Sequence, residues 1–234
     1  MIDILTKDPL FSVFITVSAY LLATKIKERH NYNILNPMLV AMLIVIFTLV
    51  LFRIPLENYK NGGKIIKFMI SPIETIVIGV GLYKQVETLK KNFISMIIST
   101  FIGGVFVVLF VIFIGSAMSM PKDVLLASIP KSVTTAIGIE ISNKMGWMTS
   151  ITVMYICTTG IVGAVIARPI IKTFKIKNPI SQGLAIGTAS HAVGTSEAIK
   201  IGEVQGAISG LSIGLHAIIA SIIIPIIVSI LGVA

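Results

Sequence analysis

Apolar residues fall along this chain in long runs rather than in the short alternations of a half-buried strand. A helix needs ~20 apolar residues to cross the hydrocarbon of a bilayer. Six runs read as spans on that measure: Pro9–Thr24, Asn36–Phe52, Ile65–Tyr83, Phe93–Ser116, Trp147–Ile171 and Gly206–Val233. The first is short, so a tilt or a start nearer Asp8 is expected. The third carries Pro72, Glu74, Gly79 and Gly81, which predicts a broken or kinked helix. Asn36-Pro37 and Asn178-Pro179 read as helix starts, with proline at the first helical position. Gly206, Gly210 and Gly214 form a GxxxGxxxG ridge, the pattern for close helix contact, and packing within the chain is its expected use, ahead of a dimer seam.

Two polar stretches interrupt the apolar pattern. Gly187–Gly202 reads GTASHAVGTSEAIKIG, and a fainter copy 56 residues upstream, Lys131–Gly146, reads KSVTTAIGIEISNKMG. At that offset Ala136 matches Ala192, Gly138 matches Gly194, Lys144 matches Lys200 and Gly146 matches Gly202. Ser132 falls on Thr188 and Thr134 on Ser190, and further on Pro169-Ile170-Ile171 falls on Pro225-Ile226-Ile227. Residues 131–171 and 187–227 therefore read as two copies of one unit.

Composition narrows the class. The 234 residues are 55% hydrophobic and only 12% charged, with a mean hydropathy of +0.98, whereas a soluble domain holds roughly a quarter charged residues. The chain reads as an all-α polytopic membrane protein forming one transmembrane domain, with N-terminal helices over 1–118 and repeat units over 122–171 and 178–233. Its opening lacks a basic region and a small-residue cleavage pattern, so no removable signal is expected. The single cysteine, Cys157, excludes an internal disulfide and a cysteine-based metal site; it is expected to be packed. The net charge of +9 does not point to nucleic acid, because Lys and Arg lie between the apolar runs, where they hold cytoplasmic loops in place.

The basic loops set a topology. Lys25, Lys27 and Arg29 mark one, Lys84, Lys90 and Lys91 a second, and Lys172, Lys175 and Lys177 a third. With all three in the cytoplasm the N-terminus lies outside, and the loop Arg53–Lys67, itself basic, is external. Phe93–Ser116 then runs outward and Trp147–Ile171 returns, so 122–146 must cross an even number of times. Its 25 residues are too few for two full spans and suit a re-entrant hairpin of two half-helices. By the same reasoning 178–202 dips in from the cytoplasmic side. The expectation is about six full spans plus two re-entrant hairpins, with an inverted repeat in the C-terminal half, an architecture many secondary transporters use.

Non-helical backbone at membrane depth is tolerated only where protein or water covers it. Half-helix N-termini there present free N–H groups and partial positive charge to an anion. The candidate binding residues are Lys131, Ser132, Thr134, Thr135, Thr188, Ser190, His191 and Thr195, with His191 and Lys131 foremost for a carboxylate. Glu140, Glu197 and Lys200 are candidate charge partners or proton carriers, since ionisable groups inside membranes are usually functional. Lys144 and Lys200 can equally be read as snorkelling to the interface, and His191 has the alternative of a structural hydrogen bond; His216 reads as a helix–helix hydrogen bond rather than a site residue, Arg168 as an orientation anchor, and Pro130 as fixing the entry to the first hairpin. No enzyme is expected: Ser190 and His191 are helix neighbours that do not face each other, His191 and His216 lack a third ligand at metal spacing, and no GxxxxGK[ST] loop occurs. No cofactor and no metal are expected.

With Asn36-Pro37, GGK at Gly62, LYKQ at Leu82–Gln85, PKSVTT at Pro130–Thr135 and KNPISQGLAIGTASHAVGT at Lys177–Thr195 in view, the chain resembles the LrgB/CidB family of bacterial membrane proteins over nearly its whole length. It departs from the family's pattern at Ala136 and Gly81, where proline is frequent, and near His216, where asparagine is. The resemblance implies a place in the bacterial cytoplasmic membrane and either of two activities. One is a secondary transporter of small monocarboxylates such as pyruvate, glycolate or glycerate, as in the plastid relatives of the family. The other is a holin-like or antiholin-like regulator of murein hydrolase activity and autolysis, working with a small LrgA/CidA-type partner. The inverted repeat independently favours the carrier, since a simple pore needs no paired polar hairpin tips. The partners expected are a small organic anion, the lipid bilayer, that membrane partner and further copies of the chain.

Overall fold

A computed structural model describes residues 6–30 and 37–232 of the chain. Among them the regular structure is helical: α1 (Pro9–His30), α2 (Pro37–Leu51), α3 (Leu56–Lys84), α4 (Val86–Ala117), α5 (Lys122–Ser128), α6 (Thr135–Met145), α7 (Thr149–Thr173), α8 (Pro179–Ile201) and α9 (Glu203–Ile230). Four of these, α1, α4, α7 and α9, are long and apolar enough to cross a membrane. Among the described residues, four of the six expected spans meet both measures. Helix α2 has 15 residues, short of a full crossing. Helix α3 is long enough at 29 residues; Glu57, Lys60 and Lys64 lie before the expected span, and Lys67 and Glu74 are the charged residues within it.

Helix termini follow local chemistry. Asp8 takes the Leu10 N–H on its Oδ1 (2.9 Å) just ahead of Pro9, so α1 starts where a nearer-Asp8 start was expected. Asn178 accepts from the N–H groups of Ile180 (2.8 Å) and Ser181 (3.2 Å), with Pro179 first in α8, the arrangement its Asn-Pro pair predicts. Pro37 opens α2, while Asn36 lies outside the described residues. Helix α6 stops at Gly146, whose φ of 71° is left-handed and costs glycine nothing. The break expected near Pro72 is absent: Leu56–Lys84 is one helix.

The chain divides into two compact units, Met1–Val77 and Ile78–Ala234. In the first, Ala19 and Ala23 of α1 pack on Ala41 and Val45 of α2, with Tyr59 against them. The Tyr59 hydroxyl bonds Thr16 Oγ1 at 2.8 Å, and Thr16 donates in turn to the Ser12 carbonyl at 2.7 Å. In the second, α9 packs against α8, α4 and α6, and α7 against α8, α6 and α5. Its main core joins Val108, Ile112, Ile129, Val133, Ile141, Ala220, Ile224 and Val228. Helix α4 buries one stripe, Met96, Thr100, Gly104, Val108, Ile112 and Gly115, and turns Phe101, Phe106 and Phe113 outward, the division a lipid-facing helix requires. Cys157, expected to be packed, is exposed on α7; it follows the fully buried Ile156 and so points away from the core.

Helices α8 and α9 lie close because Gly183 and Gly187 present no side chain to α9. A Cβ on Gly187 would strike the Ser209 carbonyl and the Ser212 hydroxyl. The glycine ridge of α9 is not one seam: Gly206 meets Ile199 of α8, and Gly214 has open space around it. Replacing Gly187 by Ala is therefore expected to cost about 1–3 kcal/mol, since a backbone carbonyl cannot rotate away. Gly214→Ala is expected to be neutral or slightly stabilising. Thermal melts of the two variants in detergent check this, and equal melting temperatures would contradict it.

Candidate functional site

In unit 2 the helices break at both polar stretches. After α5, residues 129–134 form tight turns, with the Lys131 N–H donating to the Ser128 carbonyl (3.2 Å) and the Val133 N–H to the Pro130 carbonyl (3.3 Å). Thr134 then enters α6 in an extended conformation, and its side chain takes no backbone N–H. The first amides of α6 thus lack a side-chain cap. In α8 the break is a single residue: His191 has φ 43° and ψ −141° inside an otherwise helical segment. A non-glycine residue on that side of the map is strained by ~1–3 kcal/mol and persists only where its surroundings hold it.

Those surroundings are explicit. The His191 Nε2–H donates to the Ile156 carbonyl of α7 at 3.0 Å, and the ring fits there because Gly160 has no side chain. The His191 carbonyl accepts from Thr195 Oγ1 at 3.0 Å, and Thr195 is joined to Ser209 Oγ of α9 at 2.7 Å. Ser212 Oγ donates to the Ser209 carbonyl at 2.9 Å. All four side chains are buried. At the first break the Thr152 hydroxyl of α7 donates to the Ala127 carbonyl at the end of α5 (2.8 Å), and Ser142 of α6 joins Thr152 at 2.8 Å. Sequence reasoning missed Ser142, Thr152, Ser209 and Ser212, which lie in or beside apolar runs and are paired only by the folded register.

Between α7 and α8 lies a cavity of about 490 Å³, lined by Lys131, Thr158, Thr159, Gly163, Ala189 and Ser190 together with aliphatic side chains of both helices. Ser190 fits because Gly163 faces it without a Cβ. Lys131 is the one cation among the lining residues; its ammonium donates to Ser132 Oγ at 3.3 Å. No carboxylate pairs with it among the described residues. A half-buried cation with hydroxyls in apolar walls suits a small anion with an apolar body.

The candidate residues thus separate. Lys131 and Ser190 line the cavity and Ser132 adjoins it. Thr134 and Thr135 open α6 and are half-buried. His191 and Thr195 hold the α8 break and do not line the cavity. Thr188 is buried with no hydrogen-bond partner for its hydroxyl. The charge candidates lie elsewhere: Glu140 pairs with Lys144 on the surface of α6 at 3.5 Å. Glu197 is bound by Arg168 of α7 and by Lys200 at 3.2 Å. Arg168 therefore does more than anchor a helix end, because it ties α7 to α8.

The LrgB-like family matches residues 16–230 of the chain. The holin-like protein CidB of Staphylococcus aureus (strain Mu50 / ATCC 700699) is 32% identical over 220 residues, 94% of this chain and 95% of its own. The antiholin-like protein LrgB of Bacillus cereus (strain B4264) is 30% identical over 228 residues, 97% of this chain and 99% of its own. No solved structure matches the chain significantly.

The role of His191 at the break is open to a direct comparison. His191→Ala loses the bond to Ile156 and keeps the strained backbone, whereas His191→Gly loses the bond and relieves the strain. The glycine variant is expected to be the more stable by about 1 kcal/mol. Melting curves of the pair in detergent decide it, and an alanine variant at least as stable as the glycine one would show that the strain is not there.

Proposed function

The chain belongs to the LrgB-like family of membrane proteins, and on that footing we propose that it serves in the bacterial cytoplasmic membrane as a holin-like or antiholin-like protein. Its role there is to modulate murein hydrolase activity and autolysis with a small membrane partner, without enzymatic activity of its own. The observation that carries this is the match to relatives of both names over nearly the full length of each chain. A strain lacking the protein is expected to autolyse at an altered rate, restored by the wild-type chain. Unchanged autolysis and unchanged zymograms of murein hydrolases would reject the role.

A second reading concerns what the molecule itself moves, and the cavity around Lys131 favours it. In this reading the chain carries small monocarboxylates such as pyruvate or glycolate by alternating access. The N-terminus lies outside, the basic loops lie inside, and 122–146 and 178–202 enter the bilayer from opposite faces as an inverted repeat. Lys131 holds the carboxylate, Ser132 and Ser190 orient it, and the uncapped start of α6 adds partial positive charge. The Arg168–Glu197–Lys200 cluster closes the cytoplasmic end. Effects on autolysis then follow from altered carboxylate flux, and the two readings are compatible.

Liposomes containing only this protein test the carrier. Uptake of labelled pyruvate or glycolate is expected to saturate, and Lys131→Ala is expected to raise the half-saturating concentration about 10- to 100-fold, the worth of one charge-assisted hydrogen bond. Non-saturable leakage of anion and dye alike would instead mark a pore.

A further inference from the structure

The cavity beside Lys131 is polar at one end and aliphatic at the other. Its α7 wall is one face of that helix, running from Thr158 and Thr159 past Gly163 to Ile170 and Ile171. At ~1.5 Å per residue that face is about 20 Å long. Helix α8 runs back along it. Ser190 meets Gly163, and Ala189, Ile186 and Ala185 follow towards the loop between the two helices, where Ile176 also lines the cavity. Lys131 comes from the 129–134 turn, whose Val133 shares the space around Gly138 with Thr152 and Ile156 of α7. Its ammonium stays by that turn, on Ser132 Oγ, so it enters at the Thr158 end. The polar side chains therefore crowd one end, and beyond Gly163 the walls hold only isoleucine and alanine.

A volume of about 490 Å³ lies in the range that covers most of the surface of a sizeable organic molecule. Water takes ~30 Å³ per molecule in the liquid, and pyruvate has the bulk of only a few waters. An acid so short, held on Lys131, leaves the isoleucine end unfilled, and unfilled apolar walls forfeit their contacts. We propose that the site takes a monocarboxylate with a long unbranched aliphatic chain, of the octanoate to decanoate class. Its carboxylate sits on Lys131 and its chain lies between α7 and α8, towards Ile170, Ile171 and Ile176. This deepens the carrier reading and rests on its assignment of Lys131 to the carboxylate.

The polar end selects the charge. Lys131 has no carboxylate partner among the described residues, and an anion offsets the cost of burying its ammonium. Thr158 spends its hydroxyl on the Met154 carbonyl (2.9 Å), whereas Thr159 and Ser190 spend theirs on no described residue. The aliphatic end selects the chain. Ala167 and Ile186 are buried at its floor, while Val162, Ile166 and Ile170 are exposed along its rim. The groove therefore opens sideways over the same stretch, and an aliphatic chain can enter it lengthwise from the bilayer. The depth of the cation rules out a phospholipid as the occupant. Thr158 and Thr159 lie near the middle of α7, a helix of 25 residues, whereas phospholipid head groups stay at the ends of a spanning helix. A free acid brings its carboxylate to that depth because the lysine replaces part of the hydration it gives up.

Equilibrium dialysis of labelled pyruvate, butanoate, hexanoate and octanoate against the protein in nanodiscs tests this, with empty nanodiscs correcting for uptake by lipid. Each added methylene is expected to tighten binding about 4-fold from butanoate to octanoate. Lys131→Gln is expected to weaken every acid about 10-fold or more and to keep the step per methylene. Ala185→Trp, at an exposed position of the aliphatic end, is expected to bind butanoate and to lose the gain from hexanoate to octanoate. Saturable binding of pyruvate with no gain along the series overturns the proposal and leaves the carrier reading standing. A gain that survives Ala185→Trp puts the chain elsewhere and overturns the proposal as well. Octanoate bound as expected, with no saturable uptake of any acid into liposomes, keeps the site and removes the carrier reading. Binding of none of the acids removes both.

Discussion

The second unit depends on what becomes of backbone carbonyls where its helices break. A carbonyl released from a helix in a water-poor interior must find a donor or destabilise the fold. The protein supplies hydroxyls: at the first break from the next full-length helix, at the second from α8 itself, joined to a serine of the next helix. Thr152 of α7 covers Ala127, and the Ser209–Thr195 pair covers His191. The same logic recurs in α7, where the Ile156 carbonyl takes the imidazole N–H as a further bond. Each break is thereby held to one geometry by a buried hydroxyl pair that bridges to the following helix. The polar walls of the Lys131 cavity stand on that scaffold.

Close approach is the second requirement, and it is met by omission. Gly160 and Gly163 admit His191 and Ser190 to the face of α7, and Gly183 and Gly187 bring α8 against α9. Association of helices in lipid gains little from hydrophobic burial, so contact surface and hydrogen bonds carry it. Small residues at these seams serve both ends, since they shorten the distance that the Ser and Thr hydroxyls must span. The one lysine in the cavity wall then lies in a region otherwise built to neutralise polar groups locally, which is why its want of a carboxylate is conspicuous.

Much of this was legible in the residues. Pro130 with the Ser-Val-Thr-Thr run, and the glycine-, serine- and threonine-rich stretch around His191, each combine backbone freedom with hydrogen-bonding side chains, and the helices break at both. Asn178-Pro179 declared a helix start, and it is one. Other features needed the fold. Pro72 suggested a break in α3, yet the backbone stays helical, as proline permits in membrane proteins when neighbouring groups restore the lost bond. His191 drew attention as an anion ligand because it sits in a Ser-, Thr- and Gly-rich tip, with a structural hydrogen bond as the alternative, and its ring is turned to a carbonyl of α7. The hydroxyls of Ser142 and Thr152, ten residues apart, and of Thr195 and Ser209, fourteen apart, meet only through the tertiary register, which no local spacing announces. His216 looked like an ordinary interhelical bond, yet its Nδ1 has no partner among the described residues.

Cys157 gives this arrangement an experimental handle. It is the sole thiol of the chain, it faces outward on α7, and the carbonyl that restrains the His191 ring belongs to the residue just before it. A spectroscopic label attached there needs no cysteine-free background and disturbs no buried contact. It would sit one peptide plane from the restraint on the kinked helix, so any rearrangement of that kink during a working cycle would be reported by the native sulfur.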